Sequence, residues 1–164
     1  MFLIGDKVAH PMHGAGVIDS IITEKIDGAL REYYVFRMPA NGLVLKIPTA
    51  NAETIGIRPV GSRERIEAIF VMMPELSFEM DNNWNRRYRE NLNHLRSGDL
   101  EKVVAVIKGL MCRDAQRGLS TGERKMLAMA RQIFVSEISL VTEIDYRAAE
   151  QRLDTAIMQL QEKG

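Results

Sequence analysis

The residues of this 164-residue chain best suited to chemistry crowd into one stretch, Asn82-Asn83-Trp84-Asn85-Arg86-Arg87-Tyr88-Arg89. It holds the only tryptophan, three arginines within four positions, and no acid from Trp84 until Glu90. A large amphipathic ring beside guanidinium groups at the start of a helix suits a surface that meets nucleic acid. The same spacing allows a second reading. Trp84, Tyr88, Leu92 and Leu95 share one helical face, so the ring could be the end of a core stripe.

Other constellations are weaker. His10 and His13, with Asp6 or Asp19, offer donor types found at zinc and iron sites, but they follow no ligand motif, and the third histidine, His94, lies far along the chain. Turn residues are the simpler reading, and no metal is expected. Cys112 has no neighbouring histidine and no nucleophile-elbow sequence, and is read as a small buried apolar residue. Gly14-Ala15-Gly16 leads into a strand pattern rather than a helix, which fits neither phosphate-loop pattern. No catalytic residue, cofactor or small-molecule substrate is therefore expected, and the chain is not read as an enzyme.

Composition is that of an ordinary globular protein, 46% hydrophobic and 27% charged. A lone cysteine fits a reducing compartment. Met1-Phe2-Leu3-Ile4 meets Gly5-Asp6 at once, without the apolar core of a signal peptide or a membrane span. A cytoplasmic location away from membranes is the expectation. The formal charge is zero, from 22 basic and 22 acidic residues, yet residues 84–131 hold eleven basic against five acidic, a net of +6. The flanking stretches are neutral or acidic, so the basic middle favours a polyanionic partner.

These residues must be positioned by two successive architectures. From Asp6 to Arg58 the pattern has period two, with strands expected at Val8-Ala9, Gly16–Ile22, Tyr33–Met38, Leu43–Ile47 and Ile55–Ile57. Asp27-Gly28 and Pro39-Ala40-Asn41-Gly42 supply turns. Five short strands in about sixty residues suggest a small barrel. Beyond Gly61 the period becomes 3.6. Ser62, Asn82 or Asn83, Asp99 and Ser120 can each cap a helix, and Tyr146 to Leu160 forms a final amphipathic stripe. Ser120-Thr121-Gly122-Glu123 has capping-box spacing. The fold class is thus α+β: a five-stranded β-barrel over residues 1–60, followed by an all-α five-helix domain over residues 61–164.

Several motifs follow one another along the chain: Gly5-Asp6-Lys7-Val8, His10-Pro11-Met12-His13-Gly14, Glu32-Tyr33, Ile47-Pro48-Thr49-Ala50-Asn51-Ala52-Glu53, Asn83-Trp84-Asn85-Arg86-Arg87-Tyr88, Ser97-Gly98-Asp99, Arg113-Asp114-Ala115-Gln116-Arg117-Gly118-Leu119-Ser120 and Gly122-Glu123-Arg124-Lys125-Met126-Leu127. In these motifs and their order the chain resembles the CarD/CdnL family of bacterial transcription regulators. The first half also resembles the polymerase-binding module of the transcription-repair coupling factor, but no helicase follows it.

The resemblance implies a Tudor-like barrel docked on the RNA polymerase β subunit by strand addition. It also implies a helical domain on promoter DNA. Lys46 matches a basic family position at the polymerase contact, whereas the other such position falls at Glu24, beside Lys25. Trp84 would be a wedge at the upstream edge of the transcription bubble. Arg86, Arg87 and Arg89 would contact phosphates, with Arg124 and Lys125 offering a further backbone contact. Two rival readings stay open: an adaptor whose helical domain binds protein, with Trp84 as the interface anchor, and a metalloenzyme using His10 and His13.

Overall fold

The computed structural model describes residues 1–76 and 79–163, the side chains of residues 162 and 163 excepted. Five antiparallel strands come first: β1 (Lys7–His10), β2 (Gly14–Ile26), β3 (Ala29–Arg37), β4 (Val44–Pro48) and β5 (Arg58–Pro59), in the spatial order β4-β3-β2-β1-β5. The β2–β3 hairpin turns at Asp27 and Gly28, whose φ values of 51° and 81° belong to a primed two-residue turn. Residues pointing inward, among them Val8, Ile18, Tyr34, Phe36 and Ile47, form one core with Ala52 and Ile57.

The expected barrel does not close. β4 and β5 are the two edges of an open sheet, and β5 pairs with β1 only at Val8↔Pro59 and Ala9↔Arg58. A two-residue strand ending in proline has little donor capacity left to bridge to another edge. The strand expected at Ile55–Ile57 is also displaced. Ala52–Ile55 instead forms a one-turn helix, α1, ended by Gly56 in the left-handed region, and the strand begins at Arg58. The described residues therefore contain six α-helices, not the five expected.

After the sheet come α2 (Arg63–Met72), α3 (Trp84–Arg96), α4 (Leu100–Arg117), α5 (Thr121–Thr142) and α6 (Tyr146–Lys163). Side chains of Ser62, Asn83, Asp99 and Ser120 accept backbone N–H groups at the starts of α2 to α5, so polar caps fix four of the five entries. A second core gathers Ile66, Ile69, Leu95, Val103, Ile107, Phe134, Ile138 and Leu153 from all five helices.

α5 joins the two cores. Gly14 at the start of β2 has φ +117°, and a Cβ there would stand 2.3 Å from Ser136 Oγ. The Ser136 hydroxyl accepts the Ala15 N–H at 2.9 Å, and Gln132 Nε2 donates to the His13 carbonyl. Glu137, 0% exposed, accepts two bonds from Arg58 and the Gly61 N–H at 2.8 Å. Those charge-assisted bonds satisfy a carboxylate that burial would otherwise penalise heavily.

Candidate nucleic-acid interface

Trp84 is the first residue of α3, and its ring packs against the entry to α5. The indole stacks on Tyr88 with centroids 5.0 Å apart and planes 16° from parallel. Its Nε1–H donates to Ser120 Oγ at 3.0 Å, and its benzo edge lies over Gly122, where a Cβ would come within 3.3 Å. Even so, 42% of Trp84 is exposed, while Leu95 three turns on is buried. The helical stripe is thus core at its C-terminal end and a supported surface ring at its N-terminal end. Stacking and one hydrogen bond fix the ring's orientation without consuming its outer face.

Ser120 does two jobs at once. Its hydroxyl caps α5 through the Glu123 N–H, and it donates to Glu123 Oε1 at 3.2 Å. Glu123, 3% exposed, extends this chain to Arg87, whose Nε donates to Glu123 Oε2 at 2.8 Å. Arg87 Nη1 in turn bonds the Asp81 and Asn82 carbonyls. Burial would raise the Glu123 carboxyl, but the bonds and charge of Arg87, the Ser120 hydroxyl and the nearby Arg113 outweigh it and hold it below its ordinary value. The Ser-x-x-Glu spacing is therefore only half a capping box, because the glutamate serves the arginine.

Arg87 must be reassigned on this geometry. It is 3% exposed and fully engaged, so it holds the segment leading to Trp84 in place rather than offering a phosphate contact. Arg86 and Arg89 do face solvent; Arg86 approaches Asp81 at 3.4 Å, and Arg89 has no ion pair among the described residues. Arg124, 3.9 Å from Asp114, and Lys125 are exposed on the first turns of α5, the helix against which Trp84 packs. Sequence reasoning missed Ser120 and Glu123 as supports of the ring. Their capping-box spacing was the available signal, but it described a helix start and not a tertiary contact.

The candidates on the sheet separate differently. Lys46, on the edge strand β4, pairs with Glu24 on β2 across the intervening strand β3. Lys25, the next residue along β2, points to the other face by strand alternation. The β4 edge has no neighbouring strand among the described residues.

His10 and His13 do come together, with ring centroids 4.6 Å apart, but no group of three or more potential metal ligands exists among the described residues. His10 Nδ1 accepts the Met12 N–H, which defines a turn. Cys112, expected inside, is only half-buried. No described helix is long and apolar enough to cross a membrane.

Comparison with known proteins divides the chain in the same order. Residues 2–61 match the model of the CarD-like/TRCF RID domain, and residues 68–154 match that of the CarD C-terminal domain. The chain is also 30% identical over 141 residues to "Putative transcription factor YdeB" of Bacillus subtilis (strain 168), covering 86% of this chain and 92% of that protein.

Proposed function

The chain belongs to the CarD family of transcription regulators, and on that premise we propose that it bridges RNA polymerase and promoter DNA. The sheet over residues 1–60 binds the polymerase β subunit through its free β4 edge, near Lys46, Glu24 and Lys25. The helical part, residues 61–164, stabilises the open complex at the upstream edge of the bubble. Its contacts are independent of sequence.

The observation that carries this reading is the half-exposed Trp84, held by Tyr88 and Ser120 beside the exposed Arg86 and Arg89. An inserted indole can occupy the space opened by unstacking, a step that costs a few kcal/mol in bare duplex. A rigidly held ring loses little further entropy on insertion. Exposed guanidinium groups hold backbone phosphates and fix register without reading bases. Tethering through β raises the local concentration of the wedge, so modest intrinsic DNA affinity suffices. A preference of about 1.4 kcal/mol for the open state shifts its population tenfold.

Open-complex lifetime on an unstable promoter, measured with purified polymerase, tests the proposal. Saturating protein lengthens the lifetime and Trp84→Ala removes most of the gain. An unchanged lifetime with polymerase fully bound would make the chain an adaptor instead.

A further inference from the structure

The motif Arg113 to Ser120 contains two arginines that the wedge does not use. Arg113 and Arg117 are one turn apart at the C-terminal end of α4 and line a cleft of about 240 Å³, closed on its other side by Glu79, Met80 and Asn82. Such a like-charge pair is unfavourable in isolation. The carboxylate of Glu123 and the C-terminal end of the helix relieve it only in part. Arg113 forms only a loose ion pair, 4.0 Å from the Glu123 Oε2 that accepts Arg87 Nε and beyond hydrogen-bonding reach. Arg113 Nε is buried with no hydrogen-bond partner. Arg117 is exposed without an ion pair among the described residues. Two guanidiniums thus share one carboxylate behind the cleft, and the lining carries Arg113 and Arg117 against the single acid Glu79, with the Gln116 and Asn82 amides as neutral donors.

We propose that this cleft is an oxyanion site that takes a backbone phosphate of the nucleic acid lying against Trp84. The assignment to nucleic acid rests on the reading of Trp84 given above; the oxyanion chemistry does not. Cleft and indole flank one hydrogen-bonded hub. Glu123 faces Arg113 on one side and Ser120 on the other, Ser120 holds the indole, and Asn82 lies two residues before the ring. A phosphate bound by a forked guanidinium is fixed in direction as well as place. It would therefore set the angle at which the strand reaches the ring.

The test uses the full chain, forked duplex DNA and inorganic phosphate. Single methylphosphonate linkages, each lacking one backbone charge, are walked along the fork. One linkage is expected to weaken wild-type binding roughly tenfold, and to have no additional effect in Arg117→Gln. That variant lowers the slope of log K against log salt by about 0.7 to 0.9. Its thermal midpoint stays unchanged because Arg117 is exposed; Arg113→Gln serves as the second variant.

In a parallel arm, inorganic phosphate moves the Arg113 Nε–H resonance in wild type and not in Arg117→Gln. A phosphate response without any sensitive linkage overturns the nucleic-acid assignment and makes the ligand a free phosphate. No response in either arm overturns the site. A phosphate response in a chain that fails to bind the fork at all defeats the Trp84 reading and leaves the oxyanion site standing.

Discussion

Arg87 and Trp84 are one helical turn apart and have opposite fates. Arg87 is inside, bound to Glu123 and to the Asp81 and Asn82 carbonyls, while Trp84 is the ring that this arrangement presents. Removing one partner of a buried pair leaves the other charge uncompensated, a loss of about 3 kcal/mol or more. Arg87→Met is therefore expected to destabilise the chain by about that amount in urea unfolding. Combined with Glu123→Gln, the loss should fall well short of the sum of the single losses. The salt dependence of fork binding separates the arginines: Arg89→Ala lowers the slope by about 0.9, whereas Arg87→Met leaves it unchanged. A run of three arginines in four positions was legible in the sequence, but their division between surface and interior was not. Helical phase put Arg87 on the side facing α5, and no local pattern reveals that Glu123, 36 residues on, waits there.

The elements were legible where local chemistry dictates them. Ser62, Asn83, Asp99 and Ser120 cap four helices because a short polar side chain beside an amphipathic run has one favourable use. Ile55-Gly56-Ile57 misled because apolar residues around glycine suit a strand, whereas Gly56 is the left-handed cap of a single turn. The β1–β2 turn carries a pH signature. Burial first, and the neighbouring His13 second, push the His10 imidazole down to about 4 from the ordinary 6.5. Its Nδ1 must stay unprotonated to accept the Met12 N–H. Between those pH values the unfolded chain binds a proton that the native turn refuses, so this contribution is intact above pH 6.5 and is lost on acidification toward pH 4. In thermal melts, His10→Asn should flatten the pH dependence in that window relative to wild type. An unaltered profile would remove His10 from the account.

At the scale of the molecule, the sheet and the helices are joined through α5, where Gly14, Ser136, Gln132 and Glu137 make a dense polar seam. Gly14→Ala places a methyl against the Ser136 hydroxyl and forces alanine into positive φ. Strain and overpacking together should cost about 2–4 kcal/mol in calorimetric unfolding. They should also expose the stretch around residues 59–62 to limited proteolysis. Neither the open sheet nor the seam could be read from the order of residues, since the sheet's edge depends on a pairing as distant as Val8 with Pro59 and the seam on partners more than seventy positions apart, as in Arg58 with Glu137. The seam fixes the span from the β4 edge to the Trp84 ring, which a flexible joint would leave variable. That ring is the chain's only indole, half in solvent, stacked on one tyrosine and hydrogen-bonded to one serine. The protein therefore carries a built-in optical reporter: intrinsic emission excited at the red edge arises from this site alone, and insertion between bases, loosening of α5 or breakage of the Ser120 bond can each be followed without attaching a dye.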